Sequence, residues 1–147
     1  AVIFGDFVND LLRDIVFDWE KILEFVGDTG PYVQYTHALA CSVLRKSGLK
    51  KFSGEPGLLT SPSEEAVIRL LDVYPAVVAE ARSSLKPHIV AQHLLQLCRA
   101  FNEFYHQCPV LNAEEKLCNA RLLLVDCVRQ VVANGLGLLN ISALEEM

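Results

Sequence analysis

The clearest helical pattern in the chain is VAQHLLQLCRAFNEFYHQC, residues 90–108. Its apolar residues recur at steps of three and four, a spacing that places them on one side of an α-helix. These residues are Val90, Leu94, Leu97, Cys98, Phe101, Phe104, Tyr105 and Cys108. Gln92, Arg99 and Glu103 fall on the opposite side, and Pro109 ends the pattern. The stretch predicts an amphipathic helix that packs on a core.

Further helix signals stand upstream of this pattern. Pro31 suits the first turn of a helix that we expect to extend to about Lys46. The sequence SPSE, residues 61–64, combines an N-cap, a first-turn proline and the acid of a capping box, so another helix begins there. We expect the pair at 74–75, Tyr-Pro, to interrupt that helix, and Ser84 to precede the next one.

Downstream, a long apolar pattern covers residues 112–134. Asn112 and Glu115 resemble a helix cap with its reciprocal acid, and Asn134-Gly135 is typical of a helix C-terminus. Because this helix is apolar nearly all round, we expect it at the centre of the bundle. Before the first long helix, a short strand or connector at 14–18 and a short helix over 19–26 are predicted. The sequence thus indicates an all-α helical bundle preceded by a short segment.

Composition limits the classes of function. The chain has 147 residues, 52% of them apolar, which suits one domain with a core. It has no apolar run long enough for a membrane span and no signal peptide, and its start without Met suggests a piece of a longer chain. The net charge of −5 resides in residues 1–28, which hold seven acids and two bases, whereas the other 119 residues hold 11 of each.

No catalytic constellation stands out. The five cysteines lack a disulfide or zinc spacing, and we expect buried thiols in a reducing compartment. Paired glutamates sit at helix starts or at the chain end, where they favour the helix dipole or solvent. There is no glycine-rich phosphate loop, so an enzyme confined to these residues, such as a hydrolase or metalloenzyme, is not supported.

Three groups of residues resemble arginyl-tRNA synthetases. The first is IVFDWE (15–20) followed by GDTGPYVQYTHA (27–38), similar to the junction where the catalytic body passes into the first helix of the anticodon-binding domain. The second is AFNEFYH (100–106) with CPVL (108–111). The third comprises ARL (120–122), VD (125–126), VRQV (128–131), GLGLL (135–139) and the terminal Met147.

The resemblance implies a C-terminal, DALR-type anticodon-binding domain in residues 28–147 and the edge of the catalytic body, or a connector, in residues 1–27. The HIGH- and KMSK-type motifs of the catalytic fold do not occur here. ATP-dependent arginylation, with its ATP, magnesium and arginine, is therefore expected of the parent enzyme and no cofactor of this fragment. The implied partners are tRNA(Arg) and the upstream catalytic domain. We expect a monomer in the cytoplasm, an organelle being the alternative.

The resemblance also suggests site residues. Tyr32 and Tyr35 match an aromatic pair near the tRNA, where a ring stacks on an unpaired base. Asn102 and Tyr105 match the later helix, and Met147 matches a terminal Met at the anticodon loop. For the tyrosines the alternative is a core role, and it is strongest for Tyr105 because that residue lies on the apolar stripe.

Two positions depart from the family pattern. Leu39 and Glu146 stand where the family commonly has Arg, which removes cations from the expected RNA-facing side. Arg45 and Lys46, with Lys50 and Lys51, are candidates for phosphate contacts instead. Their alternative is a solvated helix end whose cations favour the dipole. The second hypothesis for the whole chain is a non-catalytic helical protein-interaction module derived from a synthetase domain.

Overall fold

The computed structural model describes residues 2–8, 27 and 29–147, and these residues contain no β-strand. The helices are α1 (Val2–Val8), α2 (Gly30–Lys46), α3 (Pro62–Ser84), α4 (His88–Gln107) and α5 (Glu115–Leu138), with a 3-10 turn at Pro56–Leu58. The predicted all-α class is confirmed. The strand or connector expected at 14–18 and the helix expected over 19–26 lie outside the described residues. The division at residue 27 remains a prediction.

The predicted amphipathic helix is α4, and it forms the centre of the bundle. Most of its apolar stripe is buried, with Leu94, Leu97, Cys98, Phe101 and Phe104 at 0% exposure, whereas Tyr105 is half-buried. This helix packs against each of the other four helices, including α1, which the sequence patterns had not indicated. The central position expected for α5 is therefore taken by α4. Several apolar residues of α5, Leu117 and Val131 among them, are only half-buried, although they pack against the core.

The start and end of α2 follow the sequence signals. The Thr29 hydroxyl accepts a hydrogen bond from the Tyr32 amide at 3.2 Å, which satisfies one of the free donors of the first turn. Pro31 lies in that turn, where its missing N–H costs nothing. At the other end Gly48 has a φ of +69°, a left-handed conformation that glycine adopts without strain.

The helix that starts at residue 62 does not stop at Tyr74-Pro75, so the predicted interruption is wrong. α3 continues through Pro75 to Ser84. A proline inside a helix removes one backbone hydrogen bond and costs about 3 kcal/mol. Here the ring lies on the exposed side, while α3 packs on α4 along its length, from buried Val67 to buried Ala81. Val67 and Ala81 lie on either side of Pro75, so packing on α4 holds both halves of the helix in line.

Ser84 precedes α4, as predicted, but it belongs to the last turn of α3. The Ser84 hydroxyl donates to the Glu80 carbonyl at 2.7 Å and so completes the last turn of α3. Leu85 then takes a left-handed conformation with a φ of +55°, and α4 begins at His88 after Pro87. The serine satisfies the end of one helix instead of capping the next.

Both predicted ends of α5 require correction. Asn112 lies in the turn after α4, and the helix begins at Glu115. Asn134 and Gly135 lie inside the helix, and Gly135 is buried where α5 crosses Leu94: a Cβ there would stand 2.6 Å from Cδ2 of that leucine. The left-handed residue that ends α5 is Asn140, with a φ of +56°. The glycine was interpreted as a cap, but its function is close helix packing.

A buried ion pair joins α3 to α5. Arg121 Nε donates to Glu64 Oε1 at 2.7 Å, and the two side chains are only 10% and 1% exposed. The second carboxylate oxygen of Glu64 accepts the Ser61 amide at 2.9 Å, as the capping box predicts, and Arg121 also donates to the Pro109 carbonyl at 2.7 Å. Every partner of this buried charge pair is thus supplied by the bundle itself.

Candidate nucleic-acid interface

The last eight residues, 140–147, form a C-terminal tail that runs along α2. Gln34 Nε2 donates to the Ser142 carbonyl at 2.9 Å, and His37 Nδ1 lies 2.7 Å from the Leu144 carbonyl oxygen. Arg45 donates to the Glu145 carbonyl at 3.1 Å and pairs with the Glu146 carboxylate. Side chains of one helix therefore fix the path of the tail as far as its last residues.

Between the tail and α2 lies a groove of about 410 Å³. It is lined by Tyr35, Ala38, Leu39, Ser42, Arg45, Glu145, Glu146 and Met147. Tyr35 is 45% exposed and Met147 is 56% exposed, so a ring and a thioether face solvent on opposite walls. Three of the predicted site residues, Tyr35, Arg45 and Met147, thus come together although more than 100 positions separate the first from the last.

Tyr32 and Asn102 form a second, drier group. Asn102 Nδ2 donates to the Tyr32 hydroxyl at 2.9 Å and lies 3.2 Å from the Thr36 hydroxyl oxygen. Both predicted residues are half-buried where α2 meets α4. Their hydrogen bonds tie the two helices together one turn away from Tyr35 and do not line the groove.

The remaining predicted residues lie apart from the groove lining. Tyr105 is half-buried and stacks on Phe101, with ring centroids 6.3 Å apart and planes at 19°, which favours the structural alternative for this residue. Lys46 is exposed at the end of α2, and Lys50 and Lys51 are exposed in the following loop. These three lysines extend the charged surface beyond Arg45 at the same end of α2.

The electrostatic balance of the groove is close to neutral or slightly acidic. Among its lining residues Arg45 is the cation, and Glu145 and Glu146 are the acids. Since Glu146 pairs directly with Arg45, the positive charge is partly compensated before any ligand arrives. Leu39 is half-buried at the groove and offers no charge. Binding here would depend more on stacking and apolar contact than on phosphate neutralisation.

Three of the five cysteine thiols are made less reactive by burial. All five are free, but only Cys98 and Cys108 are buried, whereas the other three are half-buried, so the expectation of buried thiols holds only in part. Burial raises the pKa of Cys98 to about 12 and raises the pKa of Cys41 and Cys127 in the same direction. Thiols with raised pKa values are poor nucleophiles at neutral pH.

Neither a metal centre nor a membrane span emerges from the described residues. Across 2–8, 27 and 29–147, no three His, Cys, Asp or Glu side chains stand close enough together to hold a metal ion. Within the same residues, none of the helices is both long enough and apolar enough to cross a membrane.

Sequence analysis missed the residues that hold the tail. Gln34 and His37 stand three positions apart, on one side of α2, and had been assigned no role. A histidine on an apolar helix face needs a hydrogen-bond partner when it is buried, and His37 is only 3% exposed. That signal was present, but the partner is the carbonyl of Leu144, and only the fold brings it near.

A known protein family matches the part of the chain that contains the groove. Residues 33–147 match the model of the DALR anticodon binding domain family. Among curated relatives, the arginine–tRNA ligase of Alkaliphilus metalliredigens is 40% identical over 148 residues, covering 100% of this chain and 26% of that protein. The arginine–tRNA ligase of Methanocella arvoryzae is 41% identical over 135 residues, covering 92% of this chain and 24% of the relative.

Solved structures show the same similarity. The arginyl-tRNA synthetase of Thermus thermophilus superposes with a TM-score of 0.92 at 37% identity, over 99% of this chain and 26% of that one. The Plasmodium falciparum arginyl-tRNA synthetase gives a TM-score of 0.86 at 23% identity, again over 99% of this chain and 26% of that one, which shows the fold alone. The chain thus spans about a quarter (26%) of the length of the curated relatives it matches.

Proposed function

Because the chain belongs to the DALR anticodon binding domain family, we propose that it recognises the anticodon loop of tRNA(Arg) on behalf of an arginine–tRNA ligase. The observation that carries the proposal is the groove between α2 and the tail. It presents an exposed aromatic ring, an exposed thioether and a guanidinium within one lined space. Unpaired loop bases are recognised by stacking on such side chains and by hydrogen bonds to their edges.

Six of the predicted site residues have distinct parts in this proposal. The Tyr35 ring stacks on one base of the loop, and the Met147 side chain packs on the other face of that base or on its neighbour. Arg45 contacts a phosphate once the Glu146 carboxylate moves aside. Tyr32 and Asn102 act indirectly by keeping α2 and α4 in register. Lys46 adds a nearby charge for the flanking backbone of the RNA.

The chemistry of ligation is assigned elsewhere in the parent protein. The described residues hold no cluster of acidic or histidine ligands for magnesium, and the sequence has no phosphate-cradling loop. ATP, magnesium and arginine would therefore bind the upstream catalytic domain, with which this chain acts as a cytoplasmic monomer. The contribution of this chain is affinity and orientation of the tRNA.

The low free positive charge of the groove favours a second function. The cation of the groove is paired with Glu146, and Leu39 supplies no charge beside it. A surface with so little free positive charge also suits a helical module that contacts protein instead of RNA. The two functions differ in how binding depends on salt concentration. Affinity for RNA falls as salt is added, whereas affinity for a protein through a largely apolar contact changes little.

The test is a binding titration of the chain with a tRNA(Arg) transcript and a non-cognate tRNA at two salt concentrations. We expect tighter binding to the cognate tRNA and a shallow salt dependence, since about one or two phosphates are neutralised. Equal affinity for both transcripts, or no binding by a folded sample, would favour the protein-interaction module.

A further inference from the structure

Three of the contacts between α2 and the tail are made to the tail backbone. Gln34 contacts the carbonyl of Ser142, His37 that of Leu144, and Arg45 that of Glu145. A carbonyl oxygen only accepts hydrogen bonds, so the His37 ring carries a proton on Nδ1 in this contact. Contacts of this kind fix the course of a chain without depending on which side chains it carries. The backbone path of the tail is held, and the Met147 side chain faces the groove, whereas the Glu146 carboxylate pairs with Arg45.

The burial of His37 distinguishes this contact from a chance surface hydrogen bond. The residue is 3% exposed, and the donor atom and the Leu144 oxygen are 2.7 Å apart. A buried ring nitrogen that lost this acceptor would keep only the weak contact with the Cys41 sulfur, 3.8 Å away, which penalises the detached tail. Gln34 stands one helical turn earlier and contacts the carbonyl two residues earlier in the tail. The two side chains therefore bind the tail at two points that are two residues apart.

We propose that Gln34 and His37 form a latch that positions Met147 at the rim of the groove for contact with RNA. The effect of this latch on RNA binding rests on the proposed function. The two residues are positioning residues: they act through the carbonyls of Ser142 and Leu144. Without the latch, Arg45 alone holds the end of the tail. Met147 then samples more positions, and ordering it again on binding opposes affinity.

The experiment separates the latch from RNA binding. Backbone order parameters of residues 143–147 are measured by ¹⁵N relaxation in the chain and in the Gln34→Met and His37→Phe variants, which keep bulk but remove the donor. The control is Gln92→Met, because Gln92 makes the same type of bond, 3.1 Å to the Val8 carbonyl, at another helix. We expect order near 0.85 in the chain and the control, falling below about 0.6 in both latch variants.

The second measurement is the affinity for tRNA(Arg). Each latch variant should bind about 2- to 10-fold more weakly, the usual effect of one lost hydrogen bond. Deletion of Leu144–Met147 should weaken binding and abolish the further effect of Gln34→Met. Ile141 and Ala143, which pack on the core, stay in place in this deletion. Should His37→Phe fail to fold, Gln34→Met on the half-exposed surface carries both measurements.

The outcomes are distinct. Unchanged order parameters in a folded Gln34→Met variant would refute the latch. A loosened tail with unchanged RNA affinity, or a Gln34→Met effect that persists in the shortened chain, would refute the positioning role. No RNA binding by any sample would refute the proposed function and the positioning role with it, while the order parameters would still decide whether the latch exists.

Discussion

Arg45, on the last turn of α2, pairs with the carboxylate of Glu146 across 101 positions of sequence. Both side chains are mostly exposed, so the pair adds little to stability. Its consequence concerns binding: the tail supplies a carboxylate to the guanidinium that we assign to a phosphate.

Glu146→Gln should therefore strengthen tRNA binding several-fold and make it more salt-sensitive, because Arg45 then meets the phosphate without an internal competitor. The control is Glu80→Gln, which changes the net charge equally at an exposed site on α3. If both variants behave alike in a salt titration, the effect comes from overall charge and not from Arg45.

Leu39→Arg adds a cation to the wall of the groove beside Tyr35. We expect higher RNA affinity that decreases as salt is added. The slope of the salt dependence should steepen by the equivalent of about one phosphate contact. Val73→Arg serves as the matched control, since Val73 is an exposed apolar residue on α3 outside the groove. A flat response to Leu39→Arg would place the RNA on another face of the bundle.

Substitution of Tyr35 should change mainly the RNA affinity, and substitution of Tyr105 mainly the folding stability. Tyr35→Ala should weaken tRNA binding by roughly 1–3 kcal/mol, the usual contribution of one stacked base, with little change in the free energy of unfolding. Tyr105→Ala should mainly lower the free energy of unfolding because it removes a ring stacked on Phe101. Titration and denaturant unfolding of both variants check this, and an unaltered affinity in folded Tyr35→Ala would contradict the stacking role.

Arg121→Ala should destabilise the bundle by roughly 3–5 kcal/mol, because it leaves the carboxylate of Glu64 buried without its counter-charge. The double variant Glu64→Gln with Arg121→Met should lose less, since neither charge then remains. Denaturant unfolding at neutral pH measures these variants together with the single variants Glu64→Gln and Arg121→Met. A double variant as unstable as the sum of its single variants would argue against a coupled pair.

His93 gives the stability a pH dependence. Burial lowers the pKa of His93, a hydrogen bond with the Leu70 backbone opposes that shift, and its Nε2 has no partner in the structure. The unfolded chain therefore takes up this proton at a higher pH than the folded chain. The contribution of the neutral imidazole to folding stability is complete above the unfolded-state pKa of about 6.5. It is lost as the pH falls below that pKa.

We accordingly expect unfolding at pH 5 to require less denaturant than at pH 7.5, and His93→Phe to reduce that difference. His106→Gln, an exposed histidine change on the same helix, is the control. An identical pH dependence in the chain and in His93→Phe would assign the effect to other groups.

Sequence patterns predicted the helices well where burial and local capping agree. The three- and four-residue spacing in α4 and the Ser61–Glu64 box act within one or two turns, so their signals are local. Pro75 and Gly135 misled the boundaries for the opposite reason. Each is unfavourable in an isolated helix, and packing on α4 across the bundle outweighs that cost.

The candidate site was predictable only through the resemblance. Tyr35 and Met147 carry no local signal that links them, and their proximity depends on the course of the tail after Asn140. The partners of Gln34 and His37 are backbone carbonyls, which every residue possesses, so no residue pattern could identify them. Such contacts appear only once the helices are assembled.

The most direct test of the central claim compares tRNA(Arg) with the same transcript carrying a replaced anticodon loop, in competition for this chain. We expect the intact tRNA to bind at least tenfold more tightly and Tyr35→Ala to remove most of the difference. Equal competition by the two transcripts would show that the groove between α2 and the tail does not recognise the anticodon loop.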